Sequence, residues 1–232
     1  MRPVMTRRVA LVLAPAVWRT LPWRTLGATG TVGLLPAALC RLLGAEPGGS
    51  SALSLLRFAA LALALGAAFL LDDTARHTTA PVPTGRAART VLRVVLVLPV
   101  AALWWTAALL LVTGPAGPPA GDLTLEAATA FAVAVAAATV AVRHTDRTDP
   151  GRTVAVGLVT AAILVPVMQP SRWALFVWPA DPRWAAAHER WGWVLAVAVA
   201  VWGLSLPEPR TRRSLRLAIT SPCSTSGPSG GR

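Results

Sequence analysis

From Ala52 to Leu71 the chain reads "ALSLLRFAALALALGAAFLL", twenty residues with one charged side chain, Arg57. The hydrocarbon core of a bilayer is about 30 Å thick, and a helix crosses it in about 20 residues. Five further apolar runs have a comparable length. Together the six predicted spans are about 26–45, 52–71, 94–112, 123–142, 153–168 and 191–206. The third, "VVLVLPVAALWWTAALLLV", is the most apolar, and the fourth is rich in alanine, which lets helix backbones pack closely. The pattern predicts an all-α, polytopic membrane protein whose transmembrane domain covers residues 26–206.

Three stretches fall outside this pattern. Residues 1–25 place five arginines around a short apolar core, Val9 to Trp18, interrupted by Pro15. That core is too short to span. It reads either as a signal peptide or, as expected here, as a helix lying in the cytoplasmic interface with Trp18 and Trp23 as anchors. Between spans five and six, "QPSRWALFVWPADPRWAAAHERW" sets Trp173, Trp178, Trp184 and Trp191 among three prolines. It is too apolar for a plain loop and too broken for two crossings, so a pair of short re-entrant or interfacial helices is expected, the second starting at Asp181 and Pro182. Residues 207–232 form a basic tail of small, polar, Pro- and Gly-marked sequence, which predicts disorder.

Charge fixes the orientation. The 232 residues are 54% hydrophobic and 14% charged, and all 22 basic side chains are arginine. Seventeen of these arginines lie at the N-terminus, after span two, after span four or in the tail, while the connections "EPGGSS" and "TGPAGPPAGD" hold none. The positive-inside rule then places both termini on the cytoplasmic side of an inner membrane. The net charge of +12 is accounted for by this sorting, so nucleic acid is not an expected partner. With no lysine, the chain has neither a P-loop of the G-x-x-x-x-G-K-[ST] form nor a Schiff-base lysine. Cys40 and Cys223 offer no disulfide framework and no zinc site, and no cofactor is expected.

Few residues carry candidate chemistry. Arg41, Arg57 and Glu126 lie inside predicted spans, where a charge costs roughly 2.5–3.5 kcal/mol at a helix centre. The plain reading has the arginines snorkelling outward and Glu126 at the wet start of span four; the functional one joins all three in an outer cluster. His77, His144 and His188 have no second His or carboxylate at i+3 or i+4, and "RHTDRTD" (143–149) reads as a solvated turn. The pair Asp72–Asp73 ends span two with the wrong sign for a helix C-terminus, which implies an immediate turn or a pairing with Arg76. No D-x-x-x-D or H-x-x-E-H pattern completes a catalytic set, so the chain is not expected to be an enzyme.

The segment from Asp72 to Arg93 is long for a helix–helix connection. Its run "TGRAARTVLR" predicts a short amphipathic element presenting Arg86, Arg89 and Arg93 to a soluble partner. The whole order, with "FLLDD…P…R…R" and "DPRWAAAHERW", resembles the permease subunits of type-2 ATP-binding-cassette (ABC) exporters and small actinobacterial membrane proteins grouped with them. The resemblance implies an N-terminal interface helix, a coupling segment at Asp72, Asp73, Arg76, Arg86, Arg89 and Arg93, and re-entrant helices before span six. It also implies a separate ATP-binding subunit and a homodimer or a heterodimer with a second permease. An ion-coupled carrier would need midplane carboxylates, which are missing. A lipid-active enzyme would have only His144, Asp146 and Asp149 to work with. A non-transporting sensor, immunity or assembly factor is the alternative reading.

Overall fold

Helix formation follows the apolar runs closely, and Gly, Pro and capping groups set the ends. The computed structural model describes residues 7–45, 47–72, 86–112, 118–144 and 150–206, and regular structure among them is helical throughout. Seven helices occur there: α1 (Arg7–Arg19), α2 (Trp23–Leu42), α3 (Gly49–Ala68), α4 (Arg86–Val112), α5 (Ala120–His144), α6 (Pro150–Met168) and α7 (Trp184–Ser205). A single 3₁₀ turn, Ser171–Trp173, follows α6. Helices α2 to α6 are long and apolar enough to cross a membrane, the pattern of a multi-pass membrane protein.

Local chemistry explains the boundaries. Helix α2 stops at Leu42, three residues before the expected end, because Gly44 adopts φ +67° and Ala45 N–H reaches back to Cys40 O at 2.9 Å. This is the Schellman closure, which glycine accepts without a Cβ clash. Helix α5 begins behind Pro118 and Pro119 with Asp122 in its first turn and ends on Arg143 and His144, charges that suit both ends of its dipole. Helix α4 reaches back to Arg86 instead of starting at Val94, since no glycine or proline interrupts the chain between Gly85 and Pro99. The expected separate element carrying Arg86, Arg89 and Arg93 is therefore the first turns of α4 itself.

The aromatic connection also differs from expectation. Only the 3₁₀ turn is regular before α7, and "WAAAHERW" is the start of that helix rather than a second short one. Trp184 begins α7 because the stretch after Pro182 contains no further breaker. Asp181 prepares the start: its Oδ1 accepts from Arg183 N–H at 2.8 Å, and its backbone carbonyl accepts from Trp184 N–H at 2.9 Å. The Arg183 side chain bonds the same carboxyl at 2.7 Å and holds it down at about 2.

The bundle is organised around α5, which packs on α3, α6 and α7. Alanines make this possible: Ala134 and Ala138 are fully buried, so the backbones on either side come close. Helices α3, α5 and α7 run in the same direction. Arg57, Glu126 and His188 meet at their starts, whereas Arg143 near the end of α5 donates to Leu204 O and Ser205 O at 3.3 Å. Helix α7 thus runs alongside α5 over nearly its full length. Helix α2 lies antiparallel on α3, where Gly33 faces Ala59 and Ala62. Helix α1 packs on α4 and turns into α2 through Trp23, whose indole N–H donates to Trp18 O at 2.7 Å.

Candidate functional site

At the end of the bundle where α3, α5 and α7 begin, three ionisable side chains from three helices converge. Arg57 and Glu126 form a two-pronged pair: Arg57 Nε donates to Glu126 Oε2 and Nη2 to Oε1, both at 2.8 Å. Their side chains are 20% and 5% exposed. Such paired N–H···O bonds are the strong form of the interaction. On the other side of the carboxylate, His188 Nε2 stands 3.2 Å from Glu126 Oε1. The opposite ring nitrogen, Nδ1, lies 2.9 Å from Trp184 O, and the ring sits 4.3 Å from the Trp184 indole.

The irregular connection between α6 and α7 is fastened over this cluster. Arg57 Nη2 also donates to Val177 O at 3.2 Å, and its guanidinium lies 5.3 Å from the centre of the Phe176 ring. Arg190 donates to Ala174 O at 3.0 Å and to Arg172 O at 3.1 Å, and Trp191 Nε1 donates to Leu175 O at 3.1 Å. Four carbonyls between Arg172 and Val177, only the first of them in the 3₁₀ turn, are thereby satisfied by side chains of α3 and α7. That provision is what non-helical backbone requires where water is scarce.

The sequence-level candidates sort clearly against this geometry. Arg57 and Glu126 do meet, and Glu126 is buried, so it is no wet helix start. Arg41 is exposed at the end of α2 and takes no part in the cluster. Trp173 and Trp178 are 60% and 53% exposed, whereas Trp184 and Trp191 turn inward and spend their indole N–H groups on Asp122 and Leu175. His188 escaped the sequence reading because its carboxylate partner is 62 residues away on another helix, beyond any local spacing rule. Among the described residues no three His, Cys, Asp or Glu side chains converge to hold a metal.

At the opposite end, the aspartate with the wrong sign for its own helix serves another one. Asp72 Oδ1 accepts from Gly151 N–H at 2.8 Å and so caps the start of α6. A Cβ on Gly151 would stand 2.6 Å from Asp72 Oδ2, so glycine there is what admits the carboxylate. Asp73 and Arg76 lie outside the described residues, as do residues 1–6 and 207–232; Arg86 opens α4, with Arg89 and Arg93 one and two turns on. Replacing Asp72 by Ala should destabilise the protein by about 1 kcal/mol, and by Asn only slightly, because Asn caps as well. Thermal unfolding of the detergent-solubilised variants, followed by circular dichroism, measures the difference.

Comparison of the chain with family models, with curated proteins and with solved structures found no match.

Proposed function

We propose that the chain is a six-span permease subunit of the type-2 ABC exporter kind, seated in the inner membrane with both termini cytoplasmic and driven by a separate ATP-binding subunit. The observation carrying this reading is the order of elements: a short helix ahead of six long ones, with α7 taken as the sixth span running beside α5. The charge sorting supports the orientation, which puts the Asp72 end inside and the Arg57–Glu126–His188 end outside.

In this reading the segment 72–93 receives the push of the ATPase as nucleotide binds. Asp72 passes it to α6 through Gly151, and α3 carries it along its length to Arg57 and hence to α5 and α7. The two end contacts make α3 a lever joining both faces of the membrane, and the ATPase biases a two-state bundle through it. Helix α6 has only Pro150, Gly151 and Val154 buried, which leaves its apolar flank for the second permease of a homo- or heterodimer.

Reporter fusions at Gly85 and Gly117 are expected in opposite compartments, Gly85 inside. The tagged full-length chain is expected to copurify with a P-loop ATPase that has no spans of its own, and Arg86→Glu with Arg89→Glu should abolish that association while membrane insertion survives. Correct topology without any such ATPase would favour the non-transporting alternative.

A further inference from the structure

The cluster of Arg57, Glu126 and His188 leaves one of its members incomplete. The His188 ring is buried on α7 between two oxygen atoms, Nδ1 lying 2.9 Å from Trp184 O and Nε2 3.2 Å from Glu126 Oε1. Arg57 already binds both oxygens of that carboxylate at 2.8 Å, while Nε2, though buried, makes no hydrogen bond as the ring stands. A backbone carbonyl and an ionised carboxylate can only accept. A neutral imidazole has a single N–H and serves one of the two oxygens, whereas an imidazolium has two and serves both. A carboxylate accepts about four such bonds, so Oε1 has room for Nε2 without releasing Arg57.

The neighbouring charges act in the same sense. The Trp184 indole, 4.3 Å from the His188 ring, donates its N–H to Asp122 Oδ2 at 2.6 Å, and an aromatic face at that distance attracts a cation. Glu126 and Asp122 on α5, set against Arg57 on α3, leave one negative charge at this end, which a second proton on His188 balances. On α7 itself Glu189 is exposed, Arg190 is turned to the carbonyls of Ala174 and Arg172, and Arg183 pairs with Asp181. The ionisable side chains of α4 and α6 lie in their first turns, at the Asp72 end, and Arg41 is exposed on α2.

We propose that the Glu126–His188 contact is a proton-binding site, and that the bound proton fastens the start of α7 to α5. Arg190 and Trp191, within one turn of His188, hold the carbonyls of Arg172, Ala174 and Leu175, so the connection above the cluster is tightened with the helix. Glu126 and His188 are six and four residues into their helices, about 6–9 Å from the ends at 1.5 Å per residue, within reach of protons from the adjoining water. The site stands apart from the permease reading; only its assignment to the outer side rests on the charge sorting.

The test is thermal unfolding of the detergent-purified full chain from about pH 5 to pH 8, the range in which imidazole changes charge, for the unaltered protein and for His188→Gln. Gln offers an N–H donor without titrating, and His77 and His144 remain as a common background. The contact made only with the proton bound is present in acid and lost as pH rises. The unaltered chain should therefore lose about 2–4 °C relative to His188→Gln across this range. Glu126→Gln removes the charge that calls for the proton, and in that background the His188 substitution should leave no pH-dependent difference, as a packing role alone would not predict. NMR of histidine-labelled protein gives a reading that needs no Glu126 variant: the ring signal absent from His188→Gln should titrate while the fold persists. A midpoint difference that is flat with pH or grows toward alkaline pH, or a His188 ring that stays neutral throughout, would overturn the assignment.

Discussion

Glu126→Leu should destabilise the protein by about 3–5 kcal/mol, the usual consequence of stranding one member of a buried ion pair. The carboxylate is the common partner of Arg57 and His188, so its loss leaves a guanidinium with 20% exposure facing apolar side chains. The double variant Arg57→Met with Glu126→Leu should recover most of the loss, since replacing both charges by apolar groups of similar volume is often neutral or stabilising. It will not recover all of it, because Arg57 also donates to Val177 O, and that carbonyl then lacks its donor. A double-mutant cycle on unfolding midpoints in detergent separates the two contributions. Equal midpoints for the unaltered chain and Glu126→Leu would mean that the pair is solvated and makes no net contribution.

This end of the molecule also marks how far the sequence alone could be read. The helices were legible because apolar runs of span length have few alternatives, and the alanine-rich fourth run did become the central packing helix. Arg57 and Glu126 were legible as candidates, since a charge inside a span calls for a partner. Their actual partnership was not. It depends on α3, α5 and α7 running in the same direction with Arg57, Glu126 and His188 brought to one level, a property of the assembled bundle. Arg41 has the same sequence credentials as Arg57, yet it ends on an exposed face of α2. Asp72 is the clearest case. Its charge opposes the dipole of the helix it follows, and that local conflict is resolved only by the start of α6, 79 residues later. Propensity carried α4 back to Arg86 and α7 back to Trp184, where the charge pattern had pointed to separate short elements.

The second large effect is expected at Gly33, where packing rather than charge decides. Helices α2 and α3 meet so closely that an added Cβ on Gly33 would lie 2.8 Å from Ala62 Cβ and 3.4 Å from Ala59 Cα. A methyl group and a backbone atom cannot rotate out of the way as a long side chain could. Gly33→Leu must therefore push the helices apart and should cost about 1–3 kcal/mol, the range for overfilled cores, against the small gain in helix propensity from losing a glycine. The displacement should also reach the buried cluster of Ala37, Leu53 and Leu56 near the connection of the two helices, and so loosen the turn of α3 that presents Arg57. Ala62→Gly in the same chain removes the methyl group in closest contact and should restore part of the lost stability, whereas Gly27→Leu, with nothing within 4 Å of its Cβ, should leave the unfolding midpoint unchanged or slightly raised by the gain in helix propensity. A midpoint for Gly33→Leu equal to that of Gly27→Leu would show that α2 sits farther from α3 than the packing of Gly33 against Ala62 requires.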